Sequence, residues 1–281
     1  MHTEIFCSTG AYIGYENNYN PDLIPVYGSK IRCDAFEFMI VRTWDESPEK
    51  ITRRLCKSPL VFRILHSDKD IGKRLSDHDS EGAFSLFLQS LNSAVNIGAQ
   101  KLVLHLWGGI NSDCDIEYNI GETERMLSAC LKSRVTLCIE NVPCRCGDPI
   151  EHWRRLAVRY PEIGFVFDSR FAAFAGETDS AGEIFTAPEL AGRIVHMHIS
   201  DFVGPAHDFN KLRPIPQPGK GTIDFDKLFS ALSPIYDGTI TLESPSLYDC
   251  GRVDTEELND SLDYIRHGMN CMNIKESEKG N

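Results

Sequence analysis

Residues 193–202 read RIVHMHISDF, two imidazoles one residue apart inside an apolar run of strand length. A strand alternates its side chains between two faces, so His196 and His198 point the same way. Asp201 follows just past the run. A strand packed only against hydrophobes has no use for two titratable rings. Their meaning depends on what the rest of the chain sets beside them.

Other runs share this length and are rich in Val, Ile, Phe and Thr: EIFCSTG (4–10), DAFEFMIV (34–41), LVFRIL (60–65), KLVLHLW (101–107), VTLCIEN (135–141), GFVFDS (164–169) and GTITLES (238–244). With 193–202 they make eight. Helical signals fill most intervals between them. In SEGAFSLFLQSLNSAVNIGAQ (80–100), Ser80 is the candidate N-cap, and Phe84, Phe87, Leu88 and Leu91 share a face. GETERMLSACLKSR (121–134) repeats the pattern, and in DPIEHWRRLAVRYPEIG (148–164) Asp148 then Pro149 opens the helix. DFDKLFSALSPIYDG (224–238) and DTEELNDSLDYIRHGMN (254–270) flank the last strand, whereas YENNYNPDLIPVYGSK (15–30) reads as an irregular loop. Eight alternations without a Pro/Gly/Ser-rich linker predict an α/β fold, a closed parallel (β/α)8 barrel. It would form a single domain over 1–281, with the charged tail 273–281 fraying.

Composition bounds the function. The chain is 42% hydrophobic and 25% charged, ordinary for a globular protein with a substantial core. A net charge of −12 argues against nucleic acid and anionic membrane as partners. No window approaches the ~18 apolar residues of a membrane span. The start, MHTEIFCSTGAYIG, lacks a basic segment followed by a long apolar one, so the expected compartment is the reducing cytoplasm. Cys7, Cys33 and Cys138, among ten cysteines, lie in strand-like runs and read as small buried hydrophobes. Cys144 and Cys146, in VPCRCGDP, stand closer than a usual C-x2–4-C zinc pair and lack a matching second pair, so they read as loop thiols.

In such a barrel, chemistry sits at the carboxyl ends of the strands. Walking round them gives His66, His105, Glu140, Asp168, the pair His196 and His198, and Glu243. Each alone has a bland explanation: a turn pair for Glu140 and Asn141, a helix cap for Asp168, an arginine partner for Glu243. Jointly they demand more. Carboxylates converging on one rim repel each other and are costly to bury unless a positive centre compensates them. Glu140, Asp168, His198 and Glu243 form a hard N/O set suited to one divalent ion, Mn, Mg, Co or Zn. His198 is preferred to His196 because it lies nearer the strand's carboxyl end.

The ordered series LVLHLWGG, TLCIENVP, VFDSRF, IVHMHISDF, PGKGTIDF and TITLESPS resembles the xylose isomerase-like barrels, which include sugar (phosphate) isomerases, epimerases and endonuclease IV-type repair enzymes. The resemblance spans nearly the whole chain and is strongest over 98–245. By resemblance to the ketose 3-epimerase branch, Glu140, Asp168, His198 and Glu243 are the metal ligands, and Glu140 and Glu243 are the acid/base pair on opposite faces of a sugar. An enediolate formed by one and reprotonated by the other is the implied course, and elimination in a keto-inositol dehydratase starts alike. Phe171 replaces a histidine the family often has three residues after the sixth-strand Asp, and Arg213 and Ile215 stand where the nuclease branch has Asp-x-His. His66 and His105 do match nuclease-type positions. The resemblance implies a small-molecule carbohydrate substrate, and barrels of this kind commonly pair as homodimers. His66, His105, Trp107 and Arg213 are the expected substrate contacts, with Trp44, Lys211, His207 and Glu37 as weaker candidates. A non-catalytic barrel is the remaining alternative.

Overall fold

The computed structural model describes residues 3–108 and 110–277. Eight strands close a barrel in sequence order: β1 (Ile5–Ser8), β2 (Ala35–Met39), β3 (Phe62–His66), β4 (Lys101–Leu104), β5 (Thr136–Glu140), β6 (Gly164–Asp168), β7 (Ile194–Ile199) and β8 (Thr239–Leu242). All neighbouring pairs are parallel, and β1 closes on β8 through Phe6 opposite Thr241. Each strand falls on one of the runs read from the sequence.

Helices cover the outside: α1 (Leu23–Gly28), α2 (Pro48–Leu55), α3 (Asp70–Ser76), α4 (Ser80–Ile97), α5 (Ile116–Ser133), α6 (Pro149–Arg159), α7 (Ser169–Ala175), α8 (Ala181–Thr186), α9 (Phe225–Leu232) and α10 (Thr255–Ser277). α10 covers the start of the segment expected to fray, and 278–281 lie outside the described residues. Two helical details differ from expectation. Asp79, not Ser80, caps α4, its side chain accepting from the Gly82 N–H. That helix buries Ala83, Phe87, Leu91 and Ala94, while Leu88 turns outward. The 15–30 segment also contains α1, because Pro25 sits in its first turn, where a missing N–H costs no helical bond. Among the described residues, no helix is long and apolar enough to cross a membrane.

Two cores follow from strand alternation. Outward residues join the helices in a large apolar layer. Inward, Phe6, Ala35, Ile64, Val103, Cys138 and Val166 form a separate small plug inside the barrel. Cys33, expected among buried strand residues, instead lies half-buried in the turn before β2.

Asp201 shapes the mouth. Its fully buried carboxylate accepts from the backbone N–H groups of Phe202 (2.8 Å), Gly219 (2.9 Å), Gly221 (2.7 Å) and Ile223 (3.1 Å). One side chain thus folds the PGKGTI segment back over the end of β7. Gly221 permits it, since a Cβ there would lie 2.4 Å from Asp201 Oδ1 and from the Phe202 carbonyl. Replacing Asp201 with Ala leaves those buried donors without their acceptor. Urea unfolding of Asp201→Ala is expected to show a loss of about 2–4 kcal/mol.

Candidate active site

The inward register that builds the plug continues toward the carboxyl ends of the strands. Two residues on, Ala35 gives way to Glu37, Ile64 to His66, Val103 to His105, Cys138 to Glu140 and Val166 to Asp168. His196 and His198 follow each other on β7, and Thr241 precedes Glu243 at the end of β8. One step of strand alternation therefore turns an apolar plug into a polar ring.

Within that ring the expected ligand set meets. Single donor atoms of Glu140, Asp168, His198 and Glu243 all lie within 4.8 Å of one another. His198 Nδ1 is 2.7 Å from Glu140 Oε1 and 3.6 Å from Glu243 Oε1. Asp168 is fully buried; its side chain accepts from the Phe171 N–H at 2.7 Å and so caps α7. The bland reading of Asp168 as a cap is thus true of Oδ1 only. Oδ2 has no hydrogen-bond partner, and neither has Glu243 Oε1. Two buried carboxylate oxygens without donors, beside an imidazole nitrogen and a third carboxylate, fit a divalent cation.

Glu37 is the residue that sequence reasoning left undervalued. Its Oε2 is 3.1 Å from His198 Nε2 and 3.1 Å from His196 Nε2. A carboxylate on Nε2 leaves Nδ1 free to face the other carboxylates, which fixes the tautomer the site needs. His196 also pairs with Thr239 Oγ1 through Nδ1 at 2.8 Å, one layer below. The opening pair of imidazoles therefore divides its work between a ring facing the site and one bracing it. The signal was available, since a lone Glu within AFEFMIV can only point inward or into the helical layer.

His105 Nε2 contacts Glu140 Oε2 at 2.5 Å, and His66 Nε2 approaches the same oxygen at 3.4 Å. These three also form a compact group, sharing Glu140 with the first. Beside them opens a cavity of about 380 Å³, lined by His105, Glu243, Arg170, Arg213, Lys69 and Phe171 among others. A larger groove of about 640 Å³ on the helical wall holds one carboxylate, Glu49, and no histidine.

Several expected contacts lie elsewhere. Trp107 is fully buried, with its indole N–H donating to the Val142 carbonyl at 2.6 Å, and it does not line the cavity. Past Leu104 the chain leaves the sheet, and α3 packs against the His105–Trp107 backbone so closely that a Cβ at Gly72 would be 2.5 Å from the His105 carbonyl. Trp44 donates to the Tyr19 carbonyl at 2.6 Å and lines a separate groove. His66 sits behind Glu140 rather than on the cavity wall, and Lys211 and His207 are also absent from that wall. Arg213 does line it. Arg170, which sequence reading passed over, is buried on the same wall. Its Nη2 lies 4.0 Å from Asp168 Oδ2 and its Nη1 donates to the Leu212 carbonyl at 3.2 Å.

The electrostatics are strained toward a positive centre. Burial pushes the Asp168 carboxyl up to about 7, with Arg170 opposing and the Glu140 and Glu243 carboxylates adding to the rise. Burial lowers the His198 pKa, but Glu243, Glu37 and Glu140 outweigh it and raise the ring well above its usual value. Burial holds His105 down at about 4 despite Glu140, so that ring is neutral near pH 7.

The sequence over residues 29–273 matches the family described as xylose isomerase-like TIM barrel. No curated protein matches the chain. Among solved structures, a D-tagatose 3-epimerase-like protein superposes with a TM-score of 0.71 at 15% identity, covering 97% of this chain and 99% of its own. An L-ribulose 3-epimerase gives 0.72 at 14%, covering 99% and 98%. The IOLI protein with a bound zinc atom gives 0.67 at 15%, covering 95% and 98%. At these identities the likeness is one of fold.

Cation uptake by this group is expected to release protons. His198 must shed one because its folded pKa is raised, and Asp168 must shed one below about 7. Calorimetric titration with Mn²⁺ in buffers of different ionisation heat should show affinity rising with pH. The number of protons released per cation should fall as the pH rises through neutrality.

Proposed function

We propose that this chain, which belongs to the xylose isomerase-like TIM barrel family, is a divalent-metal-dependent isomerase or epimerase of a small sugar, sugar phosphate or related hydroxycarbonyl compound. The observation that carries this reading is the meeting of Glu140, Asp168, His198 and Glu243 within 4.8 Å at the edge of a cavity of sugar size. These four residues would hold the cation. When bound, it supplies polarisation of a carbonyl and its neighbouring hydroxyl, which acidifies the proton on the carbon beside them.

The chain's own groups then divide the proton work. Glu243 lines the cavity and removes the carbon-bound proton. Glu140 does not line it, but the neutral His105 ring does, and it contacts Glu140 at 2.5 Å. That ring would return a proton from its N–H, with solvent restoring it and taking the one left on Glu243. In an eight-stranded ring β4 stands across from β8, so His105 and Glu243 approach a substrate from opposite sides. Removal on one face and return on the other is what inversion of a carbon centre requires. An elimination by the same first step is the neighbouring alternative.

Arg170, Arg213 and Lys69 put three cations on the cavity wall of a chain whose net charge is −12. They favour an anionic substituent such as phosphate over a neutral sugar. The group formed by His66, His105 and Glu140 supports a second reading, a binuclear phosphodiesterase, in which two cations share Glu140.

The test is solvent-deuterium exchange into ketoses and their phosphates by metal-loaded protein, beside a count of cations at the barrel centre. Cation-dependent uptake at a carbon beside the carbonyl is expected, with Glu243→Gln reducing it about 10²–10⁴-fold. Two cations at the centre with phosphodiester cleavage and no exchange would sink the proposal. Glu37→Gln should leave exchange detectable while weakening cation affinity about 10–100-fold, read by calorimetry.

A further inference from the structure

The Cys144–Cys146 pair takes no part in the barrel centre, yet its surroundings are chemically unusual. Asp113, in the loop between β4 and α5, reaches into the loop between β5 and α6 and organises it. Its Oδ1 accepts from the Arg145 N–H at 3.2 Å and the Cys146 N–H at 3.1 Å. Its Oδ2 turns toward His152, on the first turns of α6, with Nε2 at 3.2 Å. The Cys144 thiol donates to the Gly147 carbonyl at 3.4 Å and also faces the same carboxylate, and donor atoms of Asp113, Cys144 and His152 lie within 4.8 Å of one another. All three residues are buried, at 3%, 8% and 3% exposure. The Cys146 thiol lies beside both Asp113 and Cys114 at the exposed edge.

The geometry points to a second metal site, built from Asp113, Cys144 and His152 and suited to a zinc-class cation. The exposed Cys146, outside that trio but next to Asp113, swings in as the fourth donor on binding. Four donors are the number a structural zinc takes, and thiolate with imidazole is the donor set zinc prefers over magnesium or calcium. Around a centre with bonds of about 2.0 Å, neighbouring nitrogen and oxygen ligands stand about 3.3 Å apart. The 3.2 Å between His152 Nε2 and Asp113 Oδ2 already has that spacing.

A purely hydrogen-bonded clamp between the loops would be served better by serine, because S–H is a weak donor. Two thiols beside one carboxylate, one of them held only by a long 3.4 Å bond to the Gly147 carbonyl, are poor clamps and good ligands. Gly147 keeps the space open, since a Cβ there would lie 2.5 Å from His152 Cε1 and 2.9 Å from its Nε2. The His152 ring is further fixed edge-on against Trp107, with centroids 5.1 Å apart.

The spacing that argued against a zinc knuckle is thereby explained. The missing half of the ligand set comes from a histidine on the next helix and an aspartate on the neighbouring loop. No ligand is shared with the barrel centre, and the site would pin the segment that follows Glu140.

Cobalt substitution under reducing conditions separates the two centres. The barrel group has only nitrogen and oxygen donors, so a near-ultraviolet thiolate-to-cobalt band that is lost in Cys144→Ser comes from the cysteine site and not from the barrel centre. Wild-type protein loaded with Co²⁺ should show that absorption, and the Cys144 and Cys146 thiols should resist alkylation until a chelator is added. Cys144→Ser should abolish the band and lower bound metal by one equivalent, while Asp168→Asn should keep the band. If Cys144→Ser does not fold, the exposed Cys146→Ser serves instead and should lose about half the band. Absence of the band from loaded wild type, or a band unchanged in both serine variants, overturns the proposal. Neither result depends on any activity.

Discussion

Closing eight parallel strands forces their inward side chains into a space that water barely enters. At the carboxyl ends of those strands this chain places Glu37, Glu140 and Asp168 at no more than 1% exposure, with Glu243 beside them. Several ionised carboxylates in such a space are tolerable only if positive charge and hydrogen-bond donors are interleaved with them. The histidines are so interleaved. His198 lies between Glu37 and Glu140, His105 and His66 lie on the far oxygen of Glu140, and Arg170 approaches Asp168. The compensation is incomplete: Asp168 Oδ2, Glu243 Oε1 and, deeper in the ring, Glu37 Oε1 have no hydrogen-bond partner.

The register explains how so polar a centre coexists with a stable barrel. The plug of Phe6, Ala35, Ile64, Val103, Cys138 and Val166 lies one inward step below the charged ring. Below it, Lys101 donates to the Val195 carbonyl and Thr239 Oγ1, both at 2.8 Å, and closes the other end. Apolar side chains thus fill most of the layer between the charged centre and the opposite mouth, crossed by one polar chain from Glu37 through His196 and Thr239 to Lys101. The outer layer of helices, with its own continuous core, carries most of the stabilising burial. Changes within the ring can then alter chemistry at limited cost to the fold.

Strand period made the architecture readable, and strand-end position made readable that Glu140, Asp168, His198 and Glu243 would converge, because both depend on local order along the chain. Alternation fails as a guide where the chain leaves the sheet. Trp107 stands two residues beyond His105 and would face inward if β4 continued, but close packing of α3 at Gly72 turns it into the helical layer. Trp44 lies past the end of β2, and nothing local records the Tyr19 carbonyl that holds it. Asp113 and His152 are harder still. Their relation to Cys144 exists only once two loops are neighbours, and neither loop carries a periodic signal. Asp201 is the intermediate case. Its position after β7 was visible, but its four backbone donors come mostly from about twenty residues downstream.

Beside the sixth strand, the cavity wall carries an aromatic ring, Phe171, at the position where the resemblance to the family leads one to expect a histidine. Arg170, one residue earlier, lays its guanidinium over the Phe171 ring at 4.3 Å while approaching Asp168. The aromatic face restricts the guanidinium, and burial removes the water that would screen it. A cation so held strengthens whatever negative group enters the cavity and opposes the rise in the Asp168 pKa. The wall beside Asp168 thus presents a buried, held cation to the cavity, with Arg213 and Lys69 on the same wall.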